Sequence, residues 1–185
     1  MTGIKEKISR LEATLEACNA PVVKHFNPGL SGEHILEVFS ANNINPDPGL
    51  IALYEWHNGT SLADPSVTFK QRVILPNGIF FSLEDMIRVK KDMLAWKPIM
   101  NDIAEYWPVF GSVEADYYIM HNSTGEILYL APLATIYAEE VEFNSLDDLV
   151  DCAIACYQNK AFDVDPQHGV TVDYDKYEET RLKYQ

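Results

Sequence analysis

Leu50 to Gly59, LIALYEWHNG, is the stretch on which the reading of this chain turns. Asp47 ahead of it is a good helix N-cap. Pro48 falls at the first helical position, where a missing N–H costs nothing and the fixed φ already suits a helix. Leu50, Leu53 and Tyr54 repeat at helical spacing and Ile51 widens the stripe, so one face is apolar. Asn58-Gly59 supplies residues able to take a positive φ and predicts the helix stop. A short, punctuated helix carrying two large aromatics therefore hands the chain to a polar loop, Thr60 to Ser66.

Upstream, Ile4, Ile8, Leu11, Leu15 and Cys18 make the narrow apolar seam of an amphipathic helix. Two to three heptads are marginal for a coiled coil, so the seam is expected to pack on its own domain. Ala20-Pro21 ends this helix and Asn27-Pro28-Gly29 signals a turn. Ser31 caps a second helix with Ile35, Leu36 and Phe39 expected inward, stopped by Asn42-Asn43. Downstream, Val67–Phe69, Val73–Leu75 and Ile79–Phe81 read as strands, the last two joined by a Pro76-Asn77-Gly78 turn. Ser82 opens a helix carrying Leu83, Met86, Ile87, Lys90 and Leu94, which Lys97-Pro98 breaks. Trp107–Phe110, Asp116–Met120 and Ile127–Leu130 are successive strands, with Asn122–Gly125 as the hairpin turn between the last two. Thr135–Tyr137 and Val141–Phe143 add one or two more. Ser145 then caps a helix through Tyr157. Helices followed by a strand meander with two interleaved helices predict a single α+β domain, an antiparallel-rich sheet packed against several helices. Residues 1–29 are its first helix and linker, 30–165 its core, and 166–185 an acidic, tyrosine-rich tail allowing a final helical turn or two.

The chain has 185 residues, enough for one domain that buries roughly 70% of its unfolded surface. Met1 to Arg10 lacks an apolar core and reads as helix rather than signal peptide. The longest uncharged run, Ile127 to Ala138, is interrupted by Pro132 and is shorter than the ~18 residues of a membrane span. A cytoplasmic protein is the expectation, with its three cysteines reduced. Charge is the most informative quantity: 14 basic against 28 acidic residues give −14. Between Asn101 and Asp175 there are 15 acidic residues and one basic residue, Lys160. Such a field disfavours nucleic acid and anionic membrane, and either steers a basic partner or only keeps the protein soluble.

Catalytic and metal patterns are sparse. There is no phosphate-cradling glycine loop, Gly-x-Ser-x-Gly elbow or His-Glu-x-x-His. Cys152 and Cys156 share a helix face but lack a histidine pair at ligand spacing, so they read as buried structural thiols. Asp163-Val164-Asp165 with His168, and Asp173-Tyr174-Asp175, lack the closing ligands of a calcium loop and read as a solvated acidic tail. The five histidines are scattered, and His57 is expected to favour the end of its helix. Neither an enzyme, a cofactor nor a metal is expected.

Three segments carry a resemblance. Tyr54-Glu55-Trp56-His57-Asn58-Gly59 is one. Trp107-Pro108-Val109-Phe110 followed by Ala115-Asp116-Tyr117-Tyr118 is the second, with Ser112-Val113-Glu114 where a glycine-rich turn would stand. Phe143-Asn144-Ser145-Leu146-Asp147-Asp148-Leu149 is the third. Together they resemble the SUKH superfamily, which includes bacterial immunity proteins that neutralise toxin domains and a fungal regulator of cell-wall synthesis. The resemblance spans roughly Leu30 to Asp165 and implies a protein-binding function, an immunity protein for a cognate toxin domain. Many such toxins are nucleases, which must be basic to hold phosphates, so an acidic patch is expected to capture one. The expected patch is Glu114, Asp116, Glu139, Glu140 and Glu142, with Tyr118 and Tyr137 as aromatic anchors. A regulatory module of the same fold, and a hydrolase or small-ligand-binding protein, remain open beside it, as does the oligomeric state.

Overall fold

Local capping chemistry sets the helices. In the computed structural model, which describes residues 3–94, 102–112, 116–131 and 136–185 (136–140 by backbone only), six α-helices are present. They are α1 (Ile4–Ala17), α2 (Gly32–Asn42), α3 (Pro48–Trp56), α4 (Leu83–Met93), α5 (Leu146–Gln158) and α6 (Tyr174–Arg181). Each expected cap accepts the backbone N–H three residues on. Ser31 takes that of His34, Asp47 that of Leu50, Ser82 that of Asp85 and Ser145 that of Asp148. The seam of α1 buries Ile8, Leu11 and Leu15 against α5 and α3, as a domain-packing helix should.

The sheet is a six-stranded antiparallel meander in chain order. Its strands are β3 (Val73–Leu75), β4 (Gly78–Phe80), β5 (Tyr106–Gly111), β6 (Tyr117–His121), β7 (Ile127–Ala131) and β8 (Ile136–Phe143). Two small antiparallel pairs flank it, β1 (Phe26–Pro28) with β2 (His57–Thr60), which α2 and α3 separate in the chain, and the hairpin of β9 (Phe162–Asp165) with β10 (Gly169–Val172). One continuous hydrophobic core runs from Ile8 to Tyr177, so the fold is a single α+β domain. Both edges of the sheet are engaged by side chains: the Tyr157 hydroxyl donates to the Ile74 carbonyl at 3.0 Å, and Gln185 Nε2 to that of Val141 at 3.1 Å.

Several expectations change. The helix of the opening stretch ends at Trp56, not at Asn58-Gly59, because His57 turns extended and starts β2. Gly59 does carry a positive φ, but inside that strand. There its backbone lies so close to Phe81 and Ser82 that a Cβ would overlap them. Asn27-Pro28 belongs to β1 rather than a free turn. Val67–Phe69 is not a strand, since Thr68 and Gln71 form a reciprocal capping box around a single 3₁₀ turn, Phe69–Gln71. Leu36 and Leu94 face solvent. Of the one or two strands expected between Thr135 and Phe143, the structure has one, Ile136–Phe143. Lys97-Pro98 lies outside the described residues.

The largest correction concerns the C-terminal segment. Residues 166–185 are not a solvated tail: Val170 and Tyr177 join the core, as does Phe162 just before them. Asp165 closes the β9–β10 turn by accepting from the N–H groups of Gln167 and His168, and Asp173 caps α6 through Lys176 N–H. Lys90, buried on α4, pins the 103–106 segment by donating to the carbonyls of Ile103, Ala104 and Tyr106 beside the face of Trp107. Burial draws its pKa down to about 8.

Gly59 and Gly125 separate two costs of a side chain at positive φ. A Cβ at Gly125 meets nothing nearer than 3.7 Å, so Gly125→Ala should lower stability by only the conformational term of about 1 kcal/mol. Gly59→Ala must also push the β4–α4 junction away and should lower stability by distinctly more, about 3 kcal/mol. Urea-denaturation midpoints of the two variants check the order.

Candidate functional site

Where the C-terminal hairpin meets the first hairpin of the sheet, the surface opens into a groove of about 420 Å³. One wall comes from the 3₁₀ turn and β3 with its following turn, through Phe69, Lys70, Val73, Pro76 and Asn77. The other comes from β10 and the first residue of α6, Val170 to Val172 and Tyr174. The walls are held together at one end. Gly169 lies against the Lys70 carbonyl so closely that no Cβ would fit, and Gln71 Nε2 donates to the Gln167 carbonyl at 2.8 Å. The floor is apolar and the lip is polar. Tyr174 stands on that lip with 62% of its surface exposed, between the exposed carboxylates of Asp173 and Asp175. A volume in this range suits either a small ligand or the apolar side chains of a docked partner.

A polar network underlies the groove. Asn77 Nδ2 donates to the Tyr129 hydroxyl at 3.1 Å and to Asp116 Oδ2 at 3.3 Å. The Tyr118 hydroxyl donates to the Pro76 carbonyl at 3.0 Å. The Tyr177 hydroxyl donates to Glu142 Oε1 at 3.2 Å, and Arg181 Nη1 lies 3.3 Å from Glu142 Oε2. Arg181 also makes a two-pronged pair with Glu178, through Nε at 2.9 Å and Nη2 at 2.6 Å. Burial pushes Tyr129 up to about 12 and Tyr118 and Tyr177 well above the ordinary phenol range, so all three act as neutral hydrogen-bonding groups. The Glu178 hydrogen bond, ahead of the Glu142 charge, raises Arg181 further.

The seven residues expected to meet a partner divide sharply. Tyr118 is a correction: its ring is 2% exposed, because β6 is covered on both faces, and it cannot serve as a surface anchor. Glu142 is the second correction. Its carboxylate is occupied by Arg181 and Tyr177 and its side chain is 18% exposed, so it holds α6 rather than offering a free charge. Asp116 lies behind Asn77 at the groove, half-buried. Glu114 lies outside the described residues, and of Tyr137, Glu139 and Glu140 the structure describes the backbone alone, in β8.

The acidic run from Asn101 to Asp175 is likewise divided. Lys7 of α1 lies 3.0 Å from Asp147 and 2.7 Å from Asp151, so part of α5 is charge-compensated. Asp148 returns to the Ser145 hydroxyl at 2.7 Å. The exposed members of the run are Asp102, Glu105, Asp163, Asp165, Asp173 and Asp175, and Glu178 and Glu179 of α6 follow just beyond it. Asp163, Asp175 and Glu179 make no ion pair among the described residues. Sequence reasoning missed Tyr174 and the groove. Their only signal was the Asp-Tyr-Asp step, which reads equally well as tail. His57 stands at the end of α3, where its backbone N–H donates to the Leu53 carbonyl, and its Nδ1 lies 3.0 Å from the Asn27 carbonyl, joining β1 to β2. No protein-family model matches the chain, and no curated protein shows significant similarity to it. Among the described residues no helix is long and apolar enough to cross a membrane.

Replacing Arg181 with alanine strands the Glu142 carboxylate and should lower stability by about 3 kcal/mol, whereas Asp175→Ala should stay within about 0.5 kcal/mol. Thermal or urea unfolding distinguishes them. Asp165 gives a pH signature. The His168 side chain and the turn N–H groups hold its pKa down to about 2, so its contribution is complete above the ordinary carboxylate range and is lost as pH falls toward about 2. An NMR titration of that carboxyl should show the low midpoint, and His168→Ala should move it upward.

Proposed function

We propose that this chain is a protein-binding module of SUKH type that acts as an immunity protein, occluding a basic toxin domain without catalysis of its own. The observation that carries the reading is the set of exposed carboxylates Asp163, Asp175 and Glu179 on the hairpin and α6, near an exposed Tyr174 that lines the groove. Acidic side chains steer a basic partner and raise its association rate, while an aromatic beside an apolar groove supplies the desolvated contact that slows its release. The contact surface we propose is Asp163, Asp175, Glu179 and Tyr174, with Asp116 at its border, rather than Tyr118 and Glu142. The resemblance carried by the three segments supplies the toxin as the class of partner, and the net charge of −14 supports a basic one.

A second reading, a small-ligand-binding protein, rests on the groove alone, whose volume falls in the small-molecule range. The two separate on one experiment. The protein is used as bait in lysate of its source cells, and bound material is eluted with a salt ramp. A basic domain that elutes at moderate salt, and kills cells lacking the bait, supports immunity by electrostatic capture. Recovery of no basic protein defeats it and moves the small-ligand reading ahead. With the partner in hand, the triple change Asp163→Lys, Asp175→Lys and Glu179→Lys should slow association by roughly 10-fold at low salt and flatten its salt dependence. Stability should be unaltered. Stopped-flow rates at two ionic strengths read the effect, and unchanged rates would remove these residues from the interface.

A further inference from the structure

We infer that β10 is a docking edge for an extended segment of the partner, a chain that alternates apolar and basic residues and adds to β10 as the next strand. The inference rests on the protein-binding reading above and adds how the partner is held. β10 is bonded on one side only, to β9. The register fixes which of its backbone groups are left over. One step beyond the Val172–Phe162 pair, the Asp173 N–H donates to the Ala161 carbonyl at 2.8 Å. Inward bonds alternate along an antiparallel strand, so Gly169 and Thr171 turn their backbone groups toward β9, and Val170 and Val172 turn theirs away. Val170, Thr171 and Val172 all line the groove, opposite Phe69, Val73 and Pro76. Three consecutive strand residues line one groove by presenting their backbone edge, since their side chains alternate between faces. The open edge of β10 is therefore a wall of the groove. The edge of β3 is less suited to the role, because its Ile74 carbonyl already accepts from the Tyr157 hydroxyl at 3.0 Å.

The two faces of β10 set what an added strand must carry. Val170 and Val172 share one face with Val164 and Phe162, all buried or half-buried. Thr171 shares the other face with Asp163, and both are exposed. A strand added about 4.8 Å away sets every second residue beside Val170 and Val172, where an apolar side chain is buried. Its remaining residues emerge next to Thr171, one strand from the Asp163 carboxylate. A lysine or arginine there is attracted to Asp163, and a glutamate is repelled. The same charge argues against a second copy of this chain as the occupant, since pairing two β10 edges sets two acidic hairpins side by side. Main-chain bonds supply the affinity of such an addition, and the alternation supplies its selectivity.

The test uses the whole chain and a capped peptide of about seven residues alternating lysine and valine, long enough to cover the four residues of β10. On titration the NMR amide signals of Val170 and Val172 should shift, and their hydrogen exchange should slow by about 10-fold or more at saturation. Methylating the peptide's backbone nitrogens at one alternate set (the valines for an antiparallel addition, the lysines for a parallel one) should weaken binding by more than about 30-fold, with the other set tolerated. Glutamate in place of lysine should abolish binding. Val172→Pro, which removes an N–H that β9 does not use, should weaken the unmodified peptide by a similar factor. The methylated peptides give the result on wild-type protein, without any variant having to fold. Equal loss from both methylated sets, equal binding of the glutamate peptide, or unmoved Val170 and Val172 signals would each overturn the strand addition. Self-association of the chain through the same amides, seen by sedimentation without peptide, would overturn the occupant. If a basic protein is captured from lysate alongside such a failure, the protein-binding reading stands and the edge falls. If the peptide adds to β10 but no basic protein is captured, the edge stands and the immunity reading falls.

Discussion

The contact on which the fold depends is the approach of Gly59 to the peptide joining Phe81 to Ser82, where β4 gives way to α4. Tyr54 and Asn58 tie their polar atoms into it. The Tyr54 hydroxyl, fully buried, donates to the Phe81 carbonyl at 3.3 Å, and Asn58 Oδ1 accepts from the Leu83 N–H at 2.8 Å. Asn58 Nδ2 reaches Glu84, and the Asn58 carbonyl accepts from Asn27 Nδ2 at 2.9 Å. One six-residue segment thus ends α3, pairs with β1 and satisfies the first turn of α4. Helical layer and sheet are locked in one place. The packing permits this only because residue 59 has no side chain and accepts a φ of +73°.

What was legible in the sequence follows from the range of each interaction. Caps are local: a serine or aspartate three residues ahead of the amide it binds needs no knowledge of the fold, and Ser31, Asp47, Ser82 and Ser145 all act where the sequence placed them. The strands of the central meander were legible for the same reason, through the Asn77 and Gly125 turns. The C-terminal segment was not. Its apolar residues are scattered among acidic ones with no clear period, and Phe162, Val170 and Tyr177 become core only because distant α5 and β8 offer them a surface. Tyr118 failed as an anchor on a related ground. Strand alternation fixes which residues share a face, but whether the second face is covered is a tertiary fact.

Charge behaves the same way. A count of carboxylates treats Asp147, Asp151, Glu142 and Asp175 alike, yet the fold assigns them different work. The first two meet Lys7, the third holds Arg181, and the fourth is left to solvent. The field a partner would feel is therefore narrower than −14 suggests. Lopsided composition located the acidic half of the sequence; it did not locate the acidic face.

That face is carried by an element that could not stand alone. A helix of eight residues is too short to persist in water by its own hydrogen bonds. α6 exists because its inner side is held at three points: Tyr177 and Arg181 on Glu142, and Thr180 accepting from Asn159 Nδ2 at 2.8 Å. Its outer side keeps Asp175 and Glu179 free precisely because those anchors take none of them. A surface arranged in this way pays its ordering entropy during folding rather than on binding, which is the condition for fast, tight capture of a partner.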